Sequence, residues 1–146
     1  MTLGLRHAGA AGELHELALQ RADFAFETTL ASRSFAPWLG RLVSSGYRMH
    51  LVFIWLPVAE LAVARVADRV AKGGHGIPAE DVRRRYRRGI DNFFSLYRPL
   101  SSWWRLLDGS QFVPRLIAEG SGMDTTVIAD ETVWSRLKHE HGQAPT

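Results

Sequence analysis

Glu27, Thr28 and Thr29 place a carboxylate and two hydroxyls directly after a short apolar stretch. Phe24 and Phe26 alternate with a smaller residue, which predicts a short strand in "DFAFE". In an open α/β sheet, polar groups that follow a strand lie at the edge where such sheets bind ligands. Glu27 and Thr29 are therefore candidate ligand-binding residues, or else they only end a strand and begin a turn.

Arg65, Arg69 and Lys72 form a second candidate group, because residues at i, i+4 and i+7 share one face of a helix. Such a face is either the solvated side of the helix, with Asp68 as a surface partner, or a surface that binds an anion. A guanidinium suits phosphate because it stays charged and presents a planar fork of donors.

Five of the 18 basic residues stand in "RRRYRR", at residues 83–88, in a chain of net charge +3. Such a cluster attracts an anion: nucleic acid, a membrane surface or a small phosphorylated ligand. At about 100° per residue, Val82, Tyr86, Phe93 and Tyr97 form one apolar stripe of a helix. Measured from Val82, Arg85 lies roughly 60° to one side of this stripe and can reach inward, whereas Arg84 points almost directly away. The nearby aromatic residues belong to that stripe, which argues against single-stranded nucleic acid as the ligand.

His75 lies in the glycine-rich connection "GGHGIP". An imidazole there can donate a hydrogen bond to a phosphate or simply be solvated. The other histidines have no carboxylate at ligand spacing, so no metal site is predicted.

The composition is that of an ordinary globular domain, with 46% hydrophobic and 23% charged residues. Cysteine is absent, which excludes disulfides and thiolate metal sites. No apolar run reaches the roughly 20 residues that span a bilayer, and no signal peptide is recognised. The expected location is therefore the cytoplasm, with no membrane partner.

Periodicity predicts alternating helices and strands, with an expected flexible segment at 1–12, one domain at 13–140 and a polar tail at 141–146. The continuously apolar "HLVFIWL" is typical of a strand covered by helices on both faces. Strand, helix, strand, helix in this order indicates an α/β fold with a mainly parallel sheet flanked by helices. The predicted elements are helix 13–21, strand 23–27, a helix capped by Ser34 and ended by Gly46, strand 50–56, helix 58–72, a helix from Ala79 to Pro99, strands 102–108 and 114–119, an apolar run 125–128 and helix 130–139.

Five separated motifs, in order, resemble the zeta-toxin family of P-loop kinases. They are "FAFETTL", "GYRMHLVFIWLPVAELAVARVADRV", "GGHGIPAEDVRRRYRRGIDNFF", "WWRLLDGS" and "PRLIAEG". The resemblance implies ATP-dependent phosphorylation of a small molecule, and characterised toxins of the family act on the 3'-hydroxyl of UDP-N-acetylglucosamine. ATP and Mg²⁺ are the implied cofactors, and an antitoxin is a possible partner.

The chain departs from the family in having no G-x-x-x-x-G-K-[ST] loop and no acidic general base after such a loop. The resemblance therefore implies a partial P-loop kinase fold without its P-loop strand, so that "DFAFE" and "HLVFIWL" lose a shared neighbour. These strands then pair directly, or receive a strand from a complementary N-terminal segment, or fold only marginally. We favour the last two, because buried unpaired backbone groups are costly.

The resemblance also assigns roles to the candidate residues. It places Glu27 and Thr29 in the substrate pocket and makes Arg69 the catalytic residue that meets the transferring phosphate. Arg65, His75 and Arg85 become phosphate or lid residues. Without the loop, ATP and Mg²⁺ are not expected to bind tightly and the chain alone is expected to be inactive. The alternatives are a non-catalytic regulatory or split-enzyme module and, with least support, a nucleic-acid-binding domain.

Overall fold

The chain adopts an α/β fold, which we describe from a computed structural model at residues 6–7, 9 and 11–143. The predicted flexible segment 1–12 and polar tail 141–146 fall partly outside the described residues. The elements, in chain order, are β1 (Arg6–His7), α1 (Ala11–Leu19), β2 (Phe24–Ala25), α2 (Phe35–Ser44), β3 (His50–Trp55), α3 (Ala59–Ala71), α4 (Ala79–Asn92), β4 (Trp103–Asp108), β5 (Arg115–Ser121), β6 (Asp124–Ile128) and α5 (Glu131–His141), with a π-helical turn at Phe93–Tyr97 and a 3-10 turn at Arg98–Leu100 after α4.

The main sheet has four strands in the order β3-β4-β5-β6. β3 and β4 are parallel, in register from His50 opposite Trp103 to Trp55 opposite Asp108, whereas β4 with β5 and β5 with β6 are antiparallel. The prediction of a mainly parallel sheet is therefore wrong for this sheet. The reason lies in the connections, residues 109–114 and 122–123, because a parallel crossover needs a dozen or more residues.

A second, small sheet consists of β1 and β2, which pair in parallel with Arg6 opposite Phe24. β2 is not hydrogen-bonded to β3, so the two sheets stay separate along the described chain. The strands predicted in "DFAFE" and "HLVFIWL", which are β2 and β3, therefore do not pair directly in the described chain.

One face of the main sheet carries the hydrophobic core. The side chains with almost no exposure are Trp104, Trp134, Tyr97, Phe93, Ile90, Leu106, Ile117 and Leu137. The predicted stripe of the long helix is confirmed, since its first residue, Val82, is buried and Tyr86 is half-buried. The core also reaches α1, β2 and α2 through Leu14, Leu17, Phe24 and Trp38, so both sheets rest on one apolar cluster.

The opposite face of β3 is open. Leu51 and Phe53 point to the core, whereas Val52 is 53% and Ile54 51% exposed. The prediction that helices cover β3 on both faces is wrong. Its apolar residues on the second face have no covering element among the described residues.

Helix ends follow the local chemistry of the residues that flank them. Gly46 ends α2 with a φ of +108°, a conformation that glycine adopts without strain. Ser34 does not cap α2 as predicted, because its hydroxyl bonds to that of Ser32 at 2.7 Å. Asp130 caps α5, and its carboxylate accepts a hydrogen bond from the Val133 amide at 3.0 Å.

Arg98 is an unusual member of the core, 5% exposed and enclosed by aromatic rings. Its guanidinium carbon lies 5.1 Å from the ring centre of Phe94, 5.5 Å from Trp104 and 5.8 Å from Trp134. Within the described chain its Nε has no hydrogen-bond partner. Burial lowers the pKa of Arg98, because the charged form is poorly solvated there.

None of the described helices combines the length and the apolar character that a membrane crossing requires.

Candidate functional site

Glu27, Thr28 and Thr29 follow β2 in an exposed turn. The Thr28 hydroxyl accepts a hydrogen bond from the Leu30 amide at 3.1 Å, and the Thr29 hydroxyl accepts one from the Ala31 amide at 3.4 Å. These bonds hold Leu30 at a φ of +58°. The hydroxyls therefore shape the turn, and each keeps its own proton for donation to a ligand.

The turn is fastened to α4. The Thr29 carbonyl oxygen lies only 2.6 Å from where a Cβ would stand on Gly89, so only glycine permits this approach. One turn further on, the buried Asn92 side chain donates to the Leu30 carbonyl at 2.7 Å. The Tyr97 hydroxyl donates to the Ser32 carbonyl. Three contacts spread over two helical turns thus fix the position of the segment that carries Glu27.

Arg85 lies one turn before Gly89 on the same side of α4, about 6 Å along the axis. Its neighbours in the cluster are engaged: Arg83 bonds to Glu60 at 2.7 Å, and Arg84 to Asp81 at 2.6 Å. Arg85 is exposed and has no ion-pair partner in the described part of the chain. It faces solvent rather than reaching into the core, on the helical turn before Gly89, where the segment that bears Glu27 is attached.

Arg65 has a structural task, because its guanidinium donates to the Gly109 carbonyl, just after β4. This bond joins α3 to the carboxyl edge of the parallel β3–β4 pair. Lys72 pairs with Asp68 at 2.9 Å, so Asp68 is a surface partner on this helix. Arg69 is exposed on the same helix.

His75 is exposed in the connection between α3 and α4. Gly74 begins that connection, and its amide donates to the Arg69 carbonyl at 2.8 Å. A Cβ on Gly74 would stand 3.0 Å from the same oxygen, so glycine suits this close turn.

α3 and α4 pack as an antiparallel pair fastened by polar contacts. The hydrogen bond between Arg83 and Glu60 lowers the pKa of Glu60 and raises that of Arg83. The Tyr86 hydroxyl donates to the Leu56 carbonyl at 2.6 Å, and burial raises the pKa of Tyr86 above its usual 10.0. These contacts hold the helix pair onto the end of β3.

The structure thus separates the predicted site residues into two groups. Glu27, Thr29 and Arg85 lie around the contact of the turn with α4. Arg65, Arg69 and His75 lie on α3 and its connection, and no hydrogen bond joins them to the first group within the described residues. Sequence reasoning missed Gly89 and Asn92, although a glycine inside a helical pattern often marks a close packing contact.

A groove of about 720 Å³ separates β2 from β3, and we call it the β2–β3 groove. Its walls come from β2, from α2, from the segment before β3 and from the first residue of β3, and they include Phe24, Leu39, Leu42, Tyr47 and His50. A second cavity of about 80 Å³ continues it past Phe26, Thr28 and Leu51. The groove therefore runs along the strands toward the turn that carries Glu27.

The amino ends of α3 and α4, the two helices that carry the predicted phosphate residues, do not suit the phosphates of ATP. A polyphosphate binds where backbone amides at a helix amino end face it without negative charge nearby. α4 begins after the glycine-rich connection, but Pro78 stands at its cap and Glu80 and Asp81 occupy its first turn. The first turn of α3 contains Glu60. The described residues also contain no group of three or more His, Asp or Glu side chains placed to hold a metal ion.

Comparisons with known proteins give one relative, a Haemophilus influenzae protein named only "Uncharacterized protein". It is 32% identical over 77 residues, which are 53% of this chain and 55% of the relative. The chain thus spans about half the length of the curated relative it matches. No protein-family model matches the chain. No solved structure matches it either.

Proposed function

We propose that this chain is the substrate-binding and lid-bearing part of a zeta-toxin-like phosphotransferase that acts on a sugar nucleotide such as UDP-N-acetylglucosamine. One observation supports the proposal: the turn that carries Glu27 and Thr29 packs on α4 at Gly89, and Arg85, which has no ion-pair partner among the described residues, stands one helical turn before Gly89. A carboxylate, a hydroxyl and a guanidinium are suited to sugar hydroxyls and to a diphosphate.

In this proposal each group has a separate role. Glu27 accepts hydrogen bonds from sugar hydroxyls, and Thr29 donates its remaining proton. Arg85 binds the diphosphate as a planar fork. Arg69, with His75 in the following connection, acts at the transferring phosphate when α3 and α4 close over the substrate. Arg65 positions α3 through the Gly109 carbonyl and does not itself bind phosphate.

The misfit of the α3 and α4 amino ends to a polyphosphate supports the expectation that the chain alone does not use ATP. Phosphate transfer would then require a complementary segment that brings the nucleotide loop. A non-catalytic regulatory module remains the alternative proposal, and the same misfit favours it. The nucleic-acid proposal is weakened because Arg83 and Arg84 are held in ion pairs.

Calorimetric titration with UDP-N-acetylglucosamine tests substrate binding without any need for ATP. A charge-assisted hydrogen bond is worth about 1.5–3 kcal/mol, so Glu27→Ala and Arg85→Ala should each raise the dissociation constant by roughly 10- to 100-fold. Arg87→Ala is the matched control, since Arg87 lies on the far side of α4 from Gly89 and should leave binding unchanged. Equal affinity in all three variants, or no binding by the wild-type chain at millimolar ligand, would refute the proposal.

A further inference from the structure

β3 has one edge that is bonded to β4 and a second edge that is not bonded to any described strand, and its first residue, His50, lines the β2–β3 groove. In a parallel pair, both backbone groups of alternate residues point to the same neighbour. The Met49 carbonyl accepts from Ser102 at 2.8 Å, and the Trp55 carbonyl accepts from Gly109 at 2.8 Å. The odd-numbered residues of β3 therefore bond to β4, and the amide and carbonyl groups of His50, Val52 and Ile54 point the other way.

These six outward groups have no hydrogen-bond partner in the described part of the chain. The next group in the same series, the Leu56 carbonyl, accepts from the Tyr86 hydroxyl. Tyr86 thus closes the carboxyl end of the free edge, and the edge stays open along the whole length of β3. An open row of this kind is a template for another strand.

The opposite wall of the groove runs in the same direction as β3. Phe24 and Phe26 line the groove together with Met49 and His50, whereas Thr28 lines the second cavity together with Leu51. The Thr29 carbonyl meets Gly89, whose nearest neighbour in β3 is the Phe53 ring. Chain numbers thus rise together on the two walls. Both existing pairs next to the groove, β1 with β2 and β3 with β4, are parallel.

The size of the groove fits one strand. At about 3.3 Å rise, 4.8 Å between strands and 10 Å between layers, a strand residue occupies roughly 160 Å³. The groove of 720 Å³ therefore holds about four to five strand residues. Its floor is apolar where α2 contributes Leu39 and Leu42. At the end of the groove nearest the start of β3, the lining has two exposed basic residues, Arg21 and Arg48, and one acidic residue, Asp23.

We infer that the β2–β3 groove accepts a β-strand from another polypeptide segment, parallel to β3 and bonded to the backbone of His50, Val52 and Ile54. The bound strand has apolar side chains at the alternate positions that face α2. An acidic residue at its amino end lies beside Arg21 and Arg48. Strand addition of this type draws affinity from main-chain hydrogen bonds and specificity from alternate side chains.

This inference gives a place to the complementary segment of the proposed function, but its test measures backbone protection and not phosphate transfer. The probe is the peptide acetyl-Glu-Val-Thr-Val-Thr-Val-Thr-amide, and the control is the same peptide with proline at its central position. Amide exchange is followed by NMR on the full chain. Without peptide, the amide protons of Val52 and Ile54 should exchange quickly and that of Phe53 slowly. Saturating peptide should slow the exchange of the Val52 and Ile54 amides at least tenfold. The proline peptide should leave their exchange rates unchanged.

A variant and a spin label sharpen the test. Val52→Pro removes an amide that points into the groove and leaves the bonds to β4, because proline is tolerated at a strand edge. It should weaken peptide binding about fivefold or more while Trp104 stays protected. A spin label at the amino end of the peptide should broaden the signals of Arg48 and His50.

Three results would overturn the inference. One is unchanged exchange of Val52 and Ile54 at millimolar peptide. Another is broadening centred on Leu56, which would show an antiparallel strand. The third is protection of both amides without peptide that grows with protein concentration, because the groove would then be filled by a second copy of the chain. If the peptide binds as expected but UDP-N-acetylglucosamine does not, only the proposed function fails.

Discussion

Two glycines inside helices, Gly40 in α2 and Gly89 in α4, should respond in opposite ways to the same change to alanine. A Cβ on Gly40 would meet a Leu100 methyl at 3.8 Å, an ordinary contact. A Cβ on Gly89 would stand 2.6 Å from the Thr29 carbonyl oxygen, a backbone atom that cannot rotate away. Comparing the two alanine variants therefore separates the effect of helix propensity on stability from the effect of packing.

Alanine is favoured over glycine in a helix interior by about 0.8–1.0 kcal/mol. Gly40→Ala should raise the free energy of unfolding by nearly that amount. Gly89→Ala has the same gain, but overpacking typically costs about 1–3 kcal/mol. Because propensity cancels between the two variants, their difference of about 1–3 kcal/mol measures the contact with Thr29.

Urea unfolding followed by tryptophan fluorescence gives both values. With a denaturant slope of about 1–3 kcal/mol/M, the two midpoints should differ by roughly 1 M, with Gly40→Ala the higher. The slope itself should not change, because both variants expose the same surface on unfolding. If both substitutions raise the midpoint by the same amount, the turn is not fixed by Gly89, and the geometry of the candidate site is wrong.

Three further changes test single contacts. Asp130→Ala should lower the free energy of unfolding by about 0.5–2 kcal/mol, since it removes the cap of α5. Ser34→Ala loses no cap bond and should therefore change the urea midpoint little. Equal effects of the two substitutions would contradict the assignment of the cap. Arg98→Met should leave the melting temperature unchanged or higher, because an unpaired buried charge is replaced by an apolar chain of similar length; a large drop would show that the aromatic contacts outweigh desolvation. Burial raises the pKa of Tyr97 above 10.0, so its contribution to stability is complete below pH 10 and is lost as pH rises through the folded-state pKa. Between pH 8 and 11, the urea midpoint of Tyr97→Phe should therefore fall less steeply with pH than that of the wild-type chain. The same dependence on pH in both proteins would contradict this role of Tyr97.

Local patterns predicted the helices well. Val82 and Tyr86 lie on the inner side of α4 because a 3.6-residue period requires it, and Phe93 and Tyr97 continue the buried side through the π-helical turn. Gly46 ends α2 because it adopts a positive φ, and Pro57 ends the strand because it has no amide proton to donate. These predictions depend on a few adjacent residues, which is why they transfer directly from sequence to structure.

The sheet was less predictable because strand direction depends on partners that are distant in sequence. The expectation of a mainly parallel sheet came from the alternation of strands and helices along the first half of the chain. The two-residue connection between β5 and β6 contained the opposite information, since it permits only an antiparallel pair. β1, at Arg6–His7, has two residues and therefore no period to recognise.

The candidate site was predicted in its residue types but not in its arrangement. Glu27 and Thr29 were identified from their position after a strand, whereas the residues that hold their turn, Gly89 and Asn92, are about 60 positions away. Arg65 illustrates the converse case. Its helical face suggested anion binding, and only the fold reveals the bond to the Gly109 carbonyl.

The free edge of β3 is compatible with a folded chain because it is exposed. Unpaired backbone groups are costly when buried, but water satisfies them at His50, Val52 and Ile54. The expected marginal stability should therefore be local and not global. Among the described residues, the largest fully buried side chains come from residue 90 onward, at the end of α4, in the π-helical turn and in β4, β5 and α5.

Hydrogen exchange on the full chain should consequently divide it into two parts. Amides of β4 and β5 should exchange only through global unfolding, because the most deeply buried side chains surround them. Amides of α1 and α2 should exchange faster, since their core contacts, such as Leu14, Trp38 and Leu39, retain more exposure. The part that holds Glu27 and one wall of the groove is then the part that a bound strand or substrate would order. Uniform protection across both parts would refute this division, and the groove would have to be regarded as a rigid, permanently formed cleft.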